Sequence, residues 1–569
     1  MSTLDSTGQQ TADAPTPDDA FHGAAALGKR DTDPPRGGAA EGPLVSADGT
    51  PLKRSLQRSL RRQKLRAFLL VAPLLLFVLV TFIAPIADML FRSVENEIVS
   101  ETLPRTTSAL AEWDAGAEDL PPEDAFVALA YDLVDAQERK LHTRLGTRLN
   151  YETTGVSSLF RKTGRSVDDV GDIYFDQFED LNENWDEAGP WARMVAAPDW
   201  AHPAPFMANA EFAALMPETA EAYTSFARAM QDENDDDPAA EEPWAPVHLA
   251  LYRDLIATDQ GTIDAYNGPG SDMLTEARAA VDGFETQAVS VMFEEIDEDW
   301  FDPEVWATIK TFSPVYTPGY FLTSVDLKLA ADGGITAQDE DQQIYLLLFQ
   351  RTLFMSLVIM GCCVLLGYPI GYLLATLPAR QANLLLILVL LPFWTSLLVR
   401  TSAWKVLLQQ QGVINDVLVW IGLVADEARL TMINNQFGTI VAMTHILLPF
   451  MILPLYSVMK TIPPSYVRAA KSLGATPSTA FWRVYFPQSV PGIGAGCILV
   501  FILAIGYYIT PELVGGTTGT FISNRIAFHI SSSLNWGLAA ALGTILLAVV
   551  LILYWVYDRI VGIDNVSLG

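Results

Sequence analysis

The feature that most constrains this chain is an uncharged apolar stretch of 21 residues, Ala67–Ala87. A helix needs about 20 predominantly apolar residues to cross the hydrocarbon core of a bilayer, so the stretch has the length of a membrane span. A long buried helix of a soluble protein is the alternative, but basic residues crowd its amino-terminal flank and no acidic residue stands among them. These bases are Lys53, Arg54, Arg58, Arg61, Arg62, Lys64 and Arg66. Positive charge collects on the cytoplasmic side of membrane proteins, so the pattern predicts a transmembrane helix that starts in the cytoplasm.

Five further stretches are long and apolar enough to be spans. They are Thr352–Thr376, Leu384–Thr401, Phe437–Met459, Ile493–Pro511 and Trp536–Tyr557. Proline and glycine residues inside the six stretches would break soluble helices, but neighbouring helices satisfy the freed carbonyls in a membrane protein. These residues are Pro73, Gly367, Pro369, Pro392, Pro449 and Pro454. The sequence therefore predicts an all-α integral membrane protein with six transmembrane helices and with both termini in the cytoplasm.

Charge is distributed unevenly along the 569 residues, half of which are hydrophobic. Residues 93–341 hold 52 Asp or Glu against 14 Lys or Arg, whereas the rest of the chain has a net charge of +7. This segment lies between the first two spans, so the predicted topology makes it a large, mainly helical extracytoplasmic insert. No internal repeat is recognised in it. The insert either helps to dock a partner protein, or concentrates a cationic solute by its field, or is only a solvated acidic surface.

The other domain boundaries follow from composition. Residues 1–50 are rich in small and polar residues and lack an apolar period, which predicts a disordered cytoplasmic tail. Residues 51–92 then form a basic juxtamembrane segment with the first span, and residues 342–569 hold the other five spans. The three cysteines lie in apolar stretches and the six histidines are scattered, so we expect no disulfide framework, metal site or catalytic constellation.

The segment between the fourth and fifth spans, residues 461–487, is predicted to form two short cytoplasmic helices. Pro464 suits the first position of a helix, where its missing N–H costs nothing. Gly474 is a natural left-handed stop. Thr476 begins the second helix as its N-cap, and Pro487 is expected to end it.

Small and apolar residues recur three and four positions apart on the first of these helices, which places them on one face. They are Tyr466, Ala469, Ala470 and Leu473. Arg468, Lys471 and Arg483 add positive charge, and no acidic residue opposes them. The face either binds a soluble cytoplasmic protein or lies against the membrane interface with its bases on lipid phosphates.

The spacing of this segment resembles the coupling segment of permease subunits in binding-protein-dependent, ATP-driven importers. That segment runs Glu-Ala-Ala, three residues, Gly, nine residues and Ile-x-Leu-Pro, and this chain keeps the spacing with Arg468–Ala470, Gly474 and Val484–Pro487. The chain departs from the pattern at Arg468, where the family usually has Glu, and at Pro463, where an Asp N-cap is common. The resemblance implies that Arg468, Ala469, Ala470, Gly474 and Pro487 couple the permease to an ATPase.

Four strings in the spans are similar to permeases of the spermidine/putrescine type. They are Gly367–Tyr372, Leu391–Thr401, Leu448–Leu455 and Thr510–Gly516. Related permeases for opines, thiamine or iron share several of these strings, so those solutes stay open. The resemblance implies a multi-pass subunit of the bacterial inner membrane that is not an enzyme and carries no cofactor.

The resemblance also implies a set of partners. They are two ATPase subunits that hold ATP and Mg, a second permease, an extracytoplasmic solute-binding protein, a small-molecule solute and membrane lipid, with no nucleic acid. The chain lacks the string Gly-x-x-x-x-Gly-Lys-Ser/Thr that cradles ATP phosphates, so hydrolysis is expected on a partner.

Two groups of residues at span ends are candidates for the solute pathway. They are Trp394, Thr395, Arg400 and Trp404 in the third span, and Tyr507, Tyr508 and Glu512 in the fifth. Aromatic rings attract ammonium groups by cation–π contact, and Glu512 offers a negative charge, whereas Arg400 is expected to repel or orient a cation. The alternative is that the aromatic residues only anchor the spans at the interface. His445 is expected to pack within its span rather than to relay protons.

Two other classes of membrane protein are less consistent with the sequence. A receptor with an acidic sensory ectodomain needs a cytoplasmic output domain, and no cytoplasmic segment exceeds about 70 residues. An ion-coupled secondary transporter usually buries carboxylates at mid-membrane, and no Asp or Glu lies near the middle of a predicted span.

Overall fold

The computed structural model describes residues 52–116, 119–330, 333–340 and 342–561. The chain divides into two compact units, Met1–Ala84 and Pro85–Gly569. The described part of the first unit is a long helix, α1 (Leu52–Val78), followed by a π-helical turn at Leu79–Ile83. The tail predicted at residues 1–50 lies outside the described residues.

The rest of the described chain consists of helices and one two-stranded sheet. The helices before the sheet are α2 (Ala84–Arg92), α3 (Glu97–Thr102), α4 (Pro104–Ala109), α5 (Glu123–Glu138), α6 (His142–Leu149), α7 (Val156–Thr163), α8 (Asp172–Leu181), α9 (Ala188–Val195), α10 (Ala210–Leu215), α11 (Pro217–Ala229), α12 (Ala245–Ala257), α13 (Gln260–Asp264), α14 (Ser271–Val281), α15 (Val289–Ile296), α16 (Pro303–Thr311) and α17 (Gly319–Thr323). The sheet pairs β1 (Leu327–Leu329) antiparallel with β2 (Ile335–Ala337), with Leu327 opposite Ala337.

The helices after the sheet include the remaining apolar spans. They are α18 (Tyr345–Thr376), α19 (Ala379–Leu390), α20 (Leu397–Leu407), α21 (Val413–Trp420), α22 (Gln436–Thr461), α23 (Pro464–Ser472), α24 (Pro477–Ala480), α25 (Phe486–Ile505), α26 (Ile509–Val514), α27 (Ile522–Ser531) and α28 (Trp536–Val561). Short 3₁₀ or π turns lie at Glu183–Trp185, Met230–Asn234, Glu298–Phe301, Leu391–Trp394, Asp426–Ala428 and Phe481–Tyr485.

Five helices among the described residues are long and apolar enough to cross a membrane, or six if one bent pair forms a single span. The five are Gln63–Arg92, Tyr345–Thr376, Gln436–Thr461, Pro477–Ile505 and Trp536–Arg559. Each overlaps a predicted span, which confirms the all-α membrane fold. Pro73, Pro369, Pro449 and Pro454 lie inside these helices, as expected for a chain whose neighbouring helices satisfy the freed carbonyls.

The third predicted span, Leu384–Thr401, is not one straight helix. Its first half ends at Trp394 and its second half begins at Leu397, and the two halves are bent by 94°. Pro392 lies in the 3₁₀ turn just before the bend. A proline lacks the N–H that the helix needs and clashes with the preceding turn, so the helix ends here instead of continuing. The expectation that Pro392 is tolerated inside a helix of this span is wrong, because the helix breaks beside it.

The fifth span also differs from its prediction. The helical path starts at Pro477 and ends at Ile505, whereas Ile493–Pro511 was expected. Pro487 does not end a helix, because it lies in the first turn of α25 after the π turn at Phe481–Tyr485. In a π turn each N–H bonds to the carbonyl five residues earlier, instead of the carbonyl four residues earlier as in an α-helix. This change of hydrogen-bond register accommodates Pro487, which has no N–H to donate.

Buried residues between Val99 and Phe312 form one hydrophobic core cluster. Trp185, Trp191, Trp300 and Trp306 are fully buried in it. The carbonyl oxygen of Trp185 accepts a hydrogen bond from the indole Nε1 of Trp191 at 2.7 Å, and that of Trp300 accepts one from Trp306 at 2.8 Å. His248 lies in the same core, where burial lowers its pKa to about 4, so its ring is neutral near pH 7.

The two tryptophan pairs belong to an internal repeat, so the expectation of no repeat in this segment is wrong. The first copy spans residues 94–197 and the second spans residues 207–317. At one constant spacing the copies match Gly146 with Gly261, Tyr151 with Tyr266, Gly155 with Gly270, Leu159 with Leu274, Phe178 with Phe293, Trp185 with Trp300 and Trp191 with Trp306. Gly155 and Gly270 both take a positive φ, of 104° and 78°, before the helices α7 and α14.

Hydrogen bonds repeat along with the residues. The carboxylate of Asp132 accepts from the backbone N–H and the hydroxyl of Thr106, both at 2.8 Å. In the second copy Asp254 accepts from the N–H and the hydroxyl of Thr219, both at 2.7 Å. Each pair ties the start of a helix, α4 or α11, to the helix that follows it.

The ends of the two copies are joined reciprocally. The N–H of Asn209, at the start of the second copy, donates to the carbonyl of Val195 at 2.7 Å. The N–H of Asn96, at the start of the first copy, donates to the carbonyl of Val315 at the same distance, 2.7 Å. The copies therefore close on each other in the same way at both junctions.

One carboxylate connects this segment to the helix α18. Asp326 accepts hydrogen bonds from the backbone N–H groups of Ile344, Tyr345 and Leu346 at 3.1, 2.8 and 2.9 Å. These donors have no partner inside the helix, and a negative charge at a helix N-terminus is favourable. Asp326 is 7% exposed, so water does not replace it as an acceptor.

We expect Asp326→Ala to lower the free energy of unfolding by at least about 2 kcal/mol, because three donors lose a charged acceptor in a buried place. Thermal unfolding of the detergent-solubilised chain measures the effect. Asp302→Ala is the matched control, since Asp302 is an exposed cap that accepts one bond, from Glu304 N–H at 2.9 Å. A Tm loss no larger for Asp326→Ala than for the control would contradict the expectation.

Candidate coupling surface and solute pathway

The segment 461–487 begins as its local signals predict. Pro464 occupies the first turn of α23, and Gly474 follows the helix with a left-handed φ of 91°. The hydroxyl of Thr476 accepts the backbone N–H of Thr479 at 3.2 Å and so caps α24. These positions confirm the predicted helix start, stop and restart, and only the role of Pro487 differs.

The side chains of α23 divide into two faces. Val467 packs against the membrane-helix core, together with Ile462 just before the helix. On the other face Leu473 is 90% exposed and Tyr466 is 52% exposed. Arg468 and Ala469 are exposed as well, and Ala470 is half-buried. A short helix thus presents an apolar and basic surface that no described part of this chain covers.

The second half of the bent third span meets the short helix α26. The hydroxyl groups of Thr401 and Thr510 lie 3.1 Å apart and are both buried. Thr510 stands beside the predicted fifth-span group Tyr507, Tyr508 and Glu512, but no local pattern in the sequence points to its contact with Thr401. This contact places the predicted pathway group of the third span beside the predicted pathway group of the fifth span.

Arg400 and Trp404 lie next to His445 of α22. The indole Nε1 of Trp404 donates to Nδ1 of His445 at 3.1 Å. The charge of Arg400 acts on both His445 and Tyr507, which puts these side chains within electrostatic range. The predicted packing role of His445 is consistent with its hydrogen bond to Trp404. Because Nδ1 of His445 accepts this bond, the proton of the neutral ring lies on Nε2.

Glu512 and the backbone of Tyr508 are held by one amide. Nδ2 of Asn524 donates to the Glu512 carboxylate at 2.6 Å and to the carbonyl oxygen of Tyr508 at 2.9 Å. The neighbouring Ser523 hydroxyl donates to the carbonyl oxygen of Tyr507 at 2.7 Å. Glu512 remains exposed, so its charge is fixed in position and still accessible to a solute. Sequence spacing gives no sign of Asn524, because its helix α27 reaches Glu512 only through the fold.

Trp394 and Thr395 are separated from the other candidates by the bend in the third span. Trp394 is 87% exposed and Thr395 bonds only locally, to the carbonyl oxygen of Pro392 at 2.8 Å. The structure therefore places Trp404 against His445 and Arg400 within electrostatic range of Tyr507, and leaves Trp394 and Thr395 apart.

Comparison with known proteins matches the membrane part of the chain. A family model described as "Binding-protein-dependent transport system inner membrane component" matches residues 367–561. The spermidine/putrescine transport system permease protein PotB of Salmonella typhimurium (strain SL1344) is 34% identical over 222 residues, which cover 38% of this chain and 77% of that protein. The inner membrane ABC transporter permease protein YdcU of Escherichia coli (strain K12) is 32% identical over 222 residues, which cover 37% and 70% of the two chains.

Among solved structures, a bacterial alginate ABC transporter in complex with a periplasmic protein bound to alginate pentasaccharide is similar at a TM-score of 0.33 and 20% identity, covering 39% of this chain and 78% of that chain. The family matched by sequence consists of permease subunits of transporters, which are not themselves enzymes. The apolar helices, the capped segment after α22 and the sequence match agree with one another. The chain belongs to the family of inner membrane components of binding-protein-dependent transport systems, and it is an ABC importer permease of the PotB type.

Proposed function

We propose that this chain is the permease subunit of an importer for polyamines such as spermidine and putrescine, driven by ATPase subunits that dock on residues 461–487. The observation that carries the proposal is the surface of α23. Leu473 is 90% exposed beside exposed bases, and Gly474 ends the helix in a left-handed turn. An apolar side chain with basic neighbours and no partner among the described residues is typical of an interface with another protein.

The proposed topology places both termini and the segment 461–487 in the cytoplasm. The basic residues before α1 support this orientation, and residues 93–341 follow the first span, which puts them on the opposite side in the proposed topology. The proposed domains are therefore a cytoplasmic tail at 1–50, the first span within 51–92, an extracytoplasmic insert at 93–341 and the other spans within 342–569. ATP and Mg belong to two partner ATPases, and a second permease and a solute-binding protein complete the assembly.

The proposed substrate class rests on the PotB relatives and on the pathway geometry. Glu512 supplies a fixed, accessible carboxylate, and Tyr508 is 46% exposed next to it. A polyamine carries several ammonium groups, which a carboxylate and aromatic faces attract. The positive charge of Arg400 is proposed to orient the cation instead of binding it.

The test is solute-stimulated ATP hydrolysis in liposomes that contain this permease with its partner permease, ATPases and binding protein. Spermidine or putrescine is expected to stimulate hydrolysis and to be taken up. An opine, thiamine and ferric iron serve as comparison solutes. Stimulation by one of these alone would leave the permease role intact and remove the polyamine assignment.

We expect Glu512→Gln to lower polyamine uptake on the order of tenfold, since a hydrogen bond to a charged group contributes about 1.5–3 kcal/mol. The measurement is the initial rate of labelled putrescine uptake in the same liposomes. Glu427→Gln is the matched control, because Glu427 is exposed and lies in the loop after the third span. Equal rates for the wild type and Glu512→Gln would exclude Glu512 from the pathway.

A further inference from the structure

A cavity of about 700 Å³ opens between the first repeat copy and the start of α28. Its lining includes Arg92, the last residue of the span Gln63–Arg92, and Trp536, the first residue of the span Trp536–Arg559. Residues at span ends lie at the depth of the lipid headgroups, and tryptophan is enriched there. The cavity is therefore within reach of a lipid phosphate.

Arginine is concentrated in this lining, although the surrounding segment is strongly acidic. Arg144, Arg148 and Arg161 of the first copy line the cavity together with Arg92. Arg92 also pairs with Asp88 at 2.8 Å. Two acidic residues, Glu95 and Glu97, line the same cavity and limit the negative charge that a ligand can carry.

Arg148 is the buried member of the set, with 7% exposure. Its Nη1 donates to Glu152 at 2.7 Å, and its Nε donates to the Tyr320 hydroxyl at 2.9 Å and to Oδ1 of Asn96 at 3.1 Å. Its Nη2 has no hydrogen-bond partner among the described residues. A guanidinium with a free nitrogen is suited to an oxyanion, since its planar fork matches phosphate and carboxylate.

The internal repeat shows that these arginines are a feature of the first copy alone. At the spacing that aligns Gly146 with Gly261 and Tyr151 with Tyr266, the second copy has an acidic or apolar residue at each of the three positions. Arg144 corresponds to Asp259, Arg148 to Ile263 and Arg161 to Glu276. Ile263 is fully buried, so an apolar side chain satisfies the packing at that position in the second copy.

We propose that this cavity is a binding site for a phosphate group, and that the phosphodiester headgroup of an anionic phospholipid is its ligand. Four arginines attract the phosphate, while Glu95 and Glu97 disfavour a doubly charged anion and so favour a singly charged diester over inorganic phosphate. A bound headgroup would hold the first repeat copy at the membrane surface. This site shares no residue with the proposed coupling surface or with the proposed solute pathway. Its test is therefore independent of the test of the proposed function.

Isothermal titration of the full-length chain in a non-ionic detergent tests the site. The probes are dihexanoyl phosphatidylglycerol and, in a separate titration, inorganic phosphate. We expect Arg144→Gln with Arg161→Gln to raise the Kd for the lipid by about tenfold or more, because each arginine offers a charged hydrogen bond to the phosphate. The matched control is Arg165→Gln with Arg193→Gln, which removes the same charge from exposed positions outside the cavity.

Arg148→Ile with Glu152→Asn is the second variant, because it installs the residues that the second copy carries at Ile263 and Asn267 and leaves no buried carboxylate unpaired. Its thermal unfolding is compared with that of the wild type to show that it folds. It is expected to weaken lipid binding as well. Phosphate binding with the same dependence on Arg144 and Arg161 would also support a phosphate site, with free phosphate as the source. No binding of either probe, or equal affinity in the double variant and its control, would overturn the proposal.

Discussion

Gly474→Val is expected to reduce solute uptake at least about tenfold and to abolish the stimulation of ATP hydrolysis by solute. Gly474 has a φ of 91°, a conformation that a β-branched residue adopts only with strain of about 1–3 kcal/mol. No atom lies within 4 Å of a Cβ built at this position, so the effect comes from the backbone and not from a clash. Relief of the strain turns α23 relative to α24 and so displaces the proposed ATPase surface.

Uptake and hydrolysis by the reconstituted assembly measure this uncoupling. Gly422→Val is a closely matched control, because Gly422 has a φ of 80° and also has no atom within 4 Å of a built Cβ. It lies after α21, far along the chain from the coupling segment. If Gly474→Val transports as well as Gly422→Val does, the proposed coupling role of this turn is wrong.

Leu473→Glu is expected to prevent ATPase subunits from binding while leaving the permease folded. Leu473 is 90% exposed in the chain, so the substitution costs the isolated permease little. In a protein interface the same side chain would be buried, and a charge there would lose its hydration without a partner. Copurification of the ATPases with the permease measures the loss, which we expect to be at least about tenfold.

Leu423→Glu is the control for this variant, since Leu423 is 70% exposed in the loop after α21. Both variants should show the thermal unfolding of the wild type. Normal copurification of ATPases with Leu473→Glu would show that the exposed face of α23 is not the docking surface.

The sequence predicted the spans well and their interruptions poorly, and the reason is physical. Length and apolarity decide whether a helix crosses a bilayer, and both are local properties of the chain. Whether a proline breaks or merely bends a helix depends on its surroundings, so Pro369 and Pro454 stay inside helices while Pro392 precedes a 94° bend. Pro487 was misjudged for a related reason, because a π turn before it accommodates the missing N–H.

The internal repeat was missed because few of its residues are identical and because the spacing changes between its parts. Asp132 and Asp254 are further apart in the chain than Trp185 and Trp300 are. Asp132 and Asp254 are recognised as equivalent only by their hydrogen bonds, which Asp132 accepts from Thr106 and Asp254 accepts from Thr219. Likewise the amide of Asn524 that holds Glu512 belongs to another helix, and no local pattern points to it.

Residues 461–487 are proposed to face the cytoplasm, and residues 93–341 are proposed to face the opposite side. The direct measurement is labelling with a membrane-impermeant maleimide of single cysteines placed at Leu473 and at Asp236, both exposed, after Cys362, Cys363 and Cys497 are replaced by alanine. Intact spheroplasts are expected to label Asp236→Cys and not Leu473→Cys, and inside-out vesicles are expected to give the reverse. Labelling of Leu473→Cys in intact spheroplasts would place the segment where no cytoplasmic ATPase can reach it and would contradict the account.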